Sequence, residues 1–149
     1  MLADVLDRAQ SAAALSGNMK IRRNHTRESI VVTTDHDRLA QVFINLMRNA
    51  DKYCDAASPE LRIEVRDHGG SLTIDFVDNG SGISPADSKV IFEKFSRLSD
   101  GARAGGTGLG LAICREIMAN LNGEIGYLPG QGGGAFRVIL PRDLAMAAQ

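Results

Sequence analysis

Residues 61–77 read Leu-Arg-Ile-Glu-Val-Arg-Asp-His-Gly-Gly-Ser-Leu-Thr-Ile-Asp-Phe-Val. Leu61, Ile63 and Val65 alternate with Arg62, Glu64 and Arg66; Leu72, Ile74 and Phe76 alternate with Thr73, Asp75 and Val77. A period of two puts each apolar set on one side of a pleated strand. Gly69-Gly70 between the runs suits a two-residue hairpin turn. The apolar face of such a hairpin must be covered, and the residues upstream can cover it. Residues 37–57 carry Leu39, Val42, Phe43, Leu46, Met47, Ala50 and Cys54 at helical spacing, giving one buried face. Thr34 or Asp35 caps this helix and Ser58-Pro59 ends it.

The same reading extends outward. Residues 2–15 are Ala-rich, with Leu2, Val5, Leu6, Ala9 and Ala13 on one helical face and a stop at Gly17-Asn18. Residues 20–24 and 29–33 read as short strands. Residues 84–91 read as a short helix capped at Ser84, with Pro85 in its first turn. Residues 96–105 are polar, small and aperiodic, a loop. Residues 108–121 form a second strong helix that stops at Asn122-Gly123. Residues 124–128 and 135–140 are strands joined by a glycine-rich turn, and the tail 142–149 is expected to fray. The order predicts an α+β fold: one mixed, largely antiparallel sheet with helices on one face, its other face partly open to solvent.

At 149 residues the chain suffices for one domain with a real core. A hydrophobic content of 44% argues for a globular chain rather than a disordered one. The net charge is −1 with no long basic run, so neither nucleic acid nor a membrane surface is indicated. No apolar stretch approaches the roughly 20 residues of a membrane span, and Asp4, Asp7 and Arg8 interrupt any signal-peptide core. Cys54 and Cys114 lack metal-ligand spacing and read as small buried hydrophobes of a reducing compartment. His25, His36 and His68 are dispersed.

Four segments carry the chemistry. In residues 45–53, Asn45, Asn49 and Lys52 share one helical face, with Tyr53 beside them. The bland reading is a solvated polar face. Against it, an amide oxygen is a hard neutral ligand suited to Mg²⁺, and Lys52 can neutralise phosphate. Asp78-Asn79-Gly80-Ser81-Gly82 ends an apolar strand. Its carboxylate can accept from the exocyclic amine of adenine, whereas guanine offers a carbonyl there. Gly80 and Gly82 allow backbone to approach a flat ring, although Asp-Asn-Gly is also ordinary turn chemistry. Gly106-Thr107-Gly108-Leu109-Gly110 opens a helix, whose N-terminal amides favour phosphate; a hinge is the plain alternative. In residues 92–97, Phe92 and Phe95 read as core anchors, and Arg97 could reach a terminal phosphate.

In this order the segments resemble the catalytic, ATP-binding domain of bacterial two-component sensor histidine kinases. These share a superfamily with DNA gyrase, the mismatch-repair MutL proteins and a heat-shock chaperone ATPase. Residues 45–53 match the family's N box, 78–82 its G1 box, 92–95 its F box and 106–110 its G2 box. The resemblance implies a Bergerat-type α/β sandwich of a mixed five-stranded sheet against three helices, spanning residues 18–141. Helix 1–17 is read as the remnant of a connection to a dimerisation hairpin. The resemblance also implies ATP and Mg²⁺ as cofactors, with Asn49 the metal ligand and Asn45 supporting it. Lys52 and Arg97 would contact phosphates. Tyr53, Ile83 and Phe95 would line the nucleotide, and Asp78, with Gly80 and Gly82 beside it, would read adenine. Gly106, Thr107, Gly108, Leu109 and Gly110 would sit at the triphosphate under a lid at residues 98–105.

Two departures refine that expectation. None of the three histidines lies in a helix beside an acidic residue with the family's following Thr or Asn. The chain thus reads as an isolated, monomeric, cytoplasmic domain serving a His-bearing helical hairpin, in the same full-length protein or in trans, with a response regulator downstream. The full-length protein could be membrane-anchored. Hydrolytic relatives place Glu where this chain has Asn45, and Asn is no general base. Phosphoryl donation is therefore expected over hydrolysis. A stand-alone anti-sigma-factor serine kinase and a non-catalytic nucleotide-binding regulatory domain are the alternatives.

Overall fold

The computed structural model describes residues 1–15, 17–84, 87, 91–92, 110–129 and 133–143. The hairpin strands β2 (Glu60–Asp67) and β3 (Ser71–Asp78) pair antiparallel, with Ile63 opposite Phe76 and Val65 opposite Ile74. The His68 N–H donates to the Ser71 carbonyl at 2.9 Å, leaving Gly69-Gly70 as the two-residue turn, with Gly69 at φ +91°. The other strands are β1 (Lys20–Arg23), β4 (Glu124–Tyr127) and β5 (Ala135–Pro141). They complete a five-stranded sheet of order β1-β2-β3-β5-β4, in which only the β1–β2 pair is parallel. The helices are α1 (Leu2–Ala13), α2 (His36–Tyr53) and α3 (Gly110–Asn120). Among the described residues the result is the expected mixed five-stranded sheet with three bounded helices.

Alternation sets the layers. Leu61, Ile63, Val65, Leu72, Ile74, Phe76, Val138 and Leu140 point to the helical side and are at most 2% exposed. From α2, Leu39, Val42, Phe43, Leu46 and Met47 meet them, and Phe43 lies 5.4 Å from Phe76, centroid to centroid. Burying such side chains contributes about 1.5–3 kcal/mol each, which far exceeds any helix propensity of this Asn-containing segment. Leu2, Val5, Leu6, Ala9 and Ala13 of α1 join the same core, as their spacing predicts. On the outer face of the central strand, Asp75 is buried and takes a bidentate pair from Arg137, at 2.8 and 2.9 Å.

Several boundaries differ from expectation, each for a tertiary reason. Helix α1 stops at Ala13, before Gly17: Ala14 is left-handed (φ 50°), and Arg48 of α2 donates to the carbonyls of Ala12 and Ala13. Residues 29–33 are not a strand. The Leu2 and Ala3 amides donate to the Ile30 and Glu28 carbonyls, so this segment caps α1, and Thr33 makes only an isolated bridge to Asp143. Helix α2 is capped by Asp35, which accepts from the Arg38 N–H at 3.1 Å, but ends at Tyr53 rather than 57. The start of α3 is described from Gly110, and the Gly123 N–H returns to the Met118 carbonyl to close its end. The predicted helix 84–91, apart from Ser84, Asp87 and Ile91, and the loop 96–105 lie outside the described residues, as does the tail beyond Asp143.

Candidate functional site

Strand alternation places Asp78 on the helical side of the sheet, in line with Phe76 and Ile74 and opposite Leu61. The strand ends there, so a carboxylate stands at the rim of an apolar layer. Asp78 Oδ1 accepts from the Gly80 N–H at 2.8 Å and the Gly134 N–H at 3.1 Å. Oδ2 has no donor among the described residues and remains able to accept one. Burial pushes the Asp78 carboxyl above the ordinary value of 3.8, the two backbone donors oppose that shift, and the Asp55 charge adds to it.

Glycine is required around this carboxylate. A Cβ on Gly133 would lie 2.0 Å from the Asp78 carbonyl oxygen, and one on Gly134 would lie 2.6 Å from Asp78 Oδ2. Gly82 has φ +82°, open to glycine at little cost. The next residue is pinned: the Ile83 N–H donates to the Tyr127 hydroxyl at 3.0 Å.

Two hydrogen-bonded links bring α2 to this loop. The Cys54 thiol donates to Asn79 Oδ1, which also accepts from the Glu60 N–H at 2.9 Å, while Asn79 Nδ2 donates to the Ser58 carbonyl. Asp55 accepts from the Ser81 N–H at 2.8 Å and the Ser81 hydroxyl at 2.6 Å. These bonds stop α2 at Tyr53 and hold its polar face beside residues 78–82. The other end of that face reaches α3. Asn45 Nδ2 lies 3.5 Å from both the Gly110 carbonyl and Cys114 Sγ.

Among the predicted site residues, Asn45, Asn49, Lys52, Tyr53, Asp78, Gly80, Gly82, Ile83 and Gly110 thus gather along one edge of the domain. Asn49 is half-buried, and its amide has no hydrogen-bond partner among the described residues. Lys52 is exposed, with Nζ 5.9 Å from the Tyr53 ring centroid. Phe95, Arg97, Gly106, Thr107, Gly108 and Leu109 lie outside the described residues. Phe92 packs on the core, edge-on to Phe136 at 6.1 Å, as an anchor should. Sequence reasoning missed Asp55, Asn79 and Tyr127. Asx turn chemistry flags the first two, but their partners are distant in sequence.

The donor set fits a nucleotide whose metal is shared with phosphate. No group of three His, Cys, Asp or Glu side chains suited to a metal occurs among the described residues. The edge offers instead the Asn49 amide oxygen, a hard neutral donor of the kind Mg²⁺ accepts beside phosphate oxygens, and Lys52, a cation suited to the phosphates themselves. His36 opens α2 beside Asp37, but its Nε2 lies 3.0 Å from the Val32 carbonyl and Ala40 stands where the pattern needs Thr or Asn. Cys114 is fully buried and its thiol is pushed up to about 11 by desolvation. No helix of the described residues is long and apolar enough to cross a membrane.

Comparison with known proteins agrees with this geometry. The chain is 39% identical over 116 residues to the sensor protein KdpD of Escherichia coli, a match covering 77% of this chain and 13% of KdpD. It is 40% identical over 131 residues to the sensor protein VanS of Enterococcus faecium, covering 85% of this chain and 33% of VanS. The chain therefore spans well under half the length of these relatives. The fold matches a mycobacterial sensor histidine kinase, MprB, with a TM-score of 0.81 at 22% identity, over 95% of each chain. Residues 34–144, which hold α2, the Asp78 loop and α3, match the profile of the histidine kinase-, DNA gyrase B- and HSP90-like ATPases, and the chain belongs to that family.

Proposed function

We propose that this chain holds Mg-ATP at the α2–β3–α3 edge and donates the γ-phosphate to a histidine on a separate helical hairpin domain, which in turn serves a response regulator. The observation that carries the reading is Asp78: Oδ1 is held by two backbone amides, while Oδ2, at the rim of an apolar layer, has no donor among the described residues. That is an oriented acceptor for the adenine amine. Asn49 offers an amide oxygen to Mg²⁺, and Lys52 offers positive charge to the phosphates. Asn45 is tied toward α3 and has no basic atom to activate water, so hydrolysis is slow. Arg97 is assigned to the transferring phosphate. Rate enhancement comes from position and charge neutralisation. We assign the domain to the cytoplasm because its nucleotide is there. That the relatives are named sensor proteins supports the kinase reading over a serine kinase or a purely regulatory domain.

The test is transfer in trans. The chain is incubated with labelled ATP, alone and with a cognate His-bearing hairpin. Acid-labile phosphate should appear on the hairpin and not on the chain. Arg97→Ala should slow transfer while leaving ADP affinity nearly unchanged. Stable label on His25, His36 or His68 in the chain alone would overturn the separate acceptor. Failure to bind ATP at all would overturn the whole reading.

A further inference from the structure

The structure holds a concavity lined by none of the residues of the Asp78 edge. Strand β1 stops at Arg23, opposite Ile63, while β2 runs on to Asp67. The notch left beside the unpaired part of β2 is a cavity of about 420 Å³, and five of its eight lining residues are arginine: Arg22, Arg23, Arg27, Arg62 and Arg66. In a chain of net charge −1 this concentration does not follow from composition. Arg22 and Arg62 are register partners, and like charges placed opposite each other cost stability. Three of the five arginines are compensated. Arg22 pairs with Glu60, Arg62 with Glu64 at 2.6 Å, and the nearly buried Arg23 with Glu28 and with Asp7 of α1. Arg27 and Arg66 are exposed and have no acidic partner among the described residues. The turn that carries Arg27 is fixed, because Asn24 Oδ1 accepts from the Thr26 and Arg27 amides at 3.1 and 3.3 Å.

We propose that this notch is a binding site for a small phosphate-bearing anion, separate from the nucleotide. Two uncompensated guanidiniums match the charge of a phosphate dianion, roughly −1.5 to −2 near neutral pH. Each presents a rigid donor fork. Arg66 comes from a strand and Arg27 from a turn, and both line the one notch. A tetrahedral group with three free oxygens can meet both, whereas a planar carboxylate accepts best in its own plane. The volume falls in the usual small-molecule range of about 300–1,000 Å³. Arg66 lies six residues along β2 from Glu60, the residue tied to Asn79, which is ~20 Å at ~3.3 Å per residue. Arg66 is thus at the far end of the strand from the nucleotide edge, while Arg22 and Arg62 line the nearer end of the notch. Its place beside the Asp7–Arg23–Glu28 contact would let an anion there bear on how α1 is held.

The test is a titration of the isotope-labelled chain with inorganic phosphate and, at equal ionic strength, with malonate, a carboxylate dianion of similar charge. Saturable amide shifts are expected in residues 24–27 and 62–66, with phosphate binding at least threefold tighter than malonate. The paired change Arg27→Gln/Arg66→Gln should weaken phosphate at least tenfold and leave ATP affinity within twofold of the parent. Asp78→Asn should leave these shifts unchanged, which separates this site from the nucleotide reading. Shifts that grow linearly without saturating, equal binding of malonate, or insensitivity to the arginine changes would each overturn the proposal.

Discussion

Asp78→Asn isolates the contact on which nucleotide choice rests. Asp78 Oδ1 is already committed to the Gly80 and Gly134 amides, at 2.8 and 3.1 Å. An Asn that keeps its one oxygen on those amides must turn its NH₂ to where Oδ2 stood. The adenine amine then faces a donor. Losing a hydrogen bond to a charged acceptor costs about 1.5–3 kcal/mol, or roughly ten- to a hundredfold in affinity. Guanine presents a carbonyl at that position, so the same change should improve GTP and narrow the ATP–GTP gap from both sides. Fold stability should change little, because both amides keep an acceptor. Asp78→Ala would orphan both and cost about 1–3 kcal/mol for each. Calorimetric titration with ATP, ADP and GTP, beside a thermal melt, reads all of this. Titration with pH adds a sign. Burial raises the Asp78 carboxyl above 3.8, so its contribution to folding is fullest below the unfolded value and is lost as pH rises through the folded one. ATP affinity runs the opposite way, because the charged form is the acceptor: it falls as pH drops through the folded value, and Asp78→Asn abolishes that dependence. Equal affinity of the parent for ATP and GTP, or an equal loss of tripolyphosphate and ATP binding in Asp78→Asn, would refute the reasoning.

Asn49→Ala should weaken Mg-ATP more than adenosine, by at least tenfold in the ratio; equal losses in parallel titrations would make Asn49 structural. Gly133→Ala puts a Cβ 2.0 Å from the Asp78 carbonyl, and the melt should fall by several degrees along with ATP affinity. Glu28 is fully buried against Arg23, so Glu28→Ala should cost about 1.5–3 kcal/mol by removing a charged hydrogen-bond partner and leaving Asp7 as the other carboxylate on the guanidinium; urea unfolding measures it, and a loss under 1 kcal/mol would show that water reaches the pair. In a thiol-reactivity assay Cys54 should react in the native state, whereas Cys114, buried and pushed up to about 11, should react only on unfolding.

Residues 45–53 and 78–82 were legible because they are local: helical spacing puts Asn45, Asn49 and Lys52 on one face, and strand alternation puts Asp78 on the side of Phe76. The core face of α2 and the Gly69-Gly70 hairpin were legible for the same reason. The stops of α1 and α2 were not. Arg48 ends one by reaching across to another helix, and Asn79 and Ser81 end the other through partners more than twenty residues away. Residues 29–33 have strand composition, yet the Ile30 carbonyl, like that of Glu28 just before the segment, is taken by an α1 amide.

From sequence alone follow most element types, the hairpin register and the kinds of groups at the site, because periodicity, turn chemistry and donor type are properties of near neighbours. Tertiary structure decided which oxygen of Asp78 stays available, why a side chain at position 133 would strike the Asp78 backbone and one at 134 its carboxylate, and that five arginines meet at the end of β1. Each of these depends on contacts between chain segments far apart in sequence, whose closeness is set by how the sheet and helices pack and by no local pattern of residues.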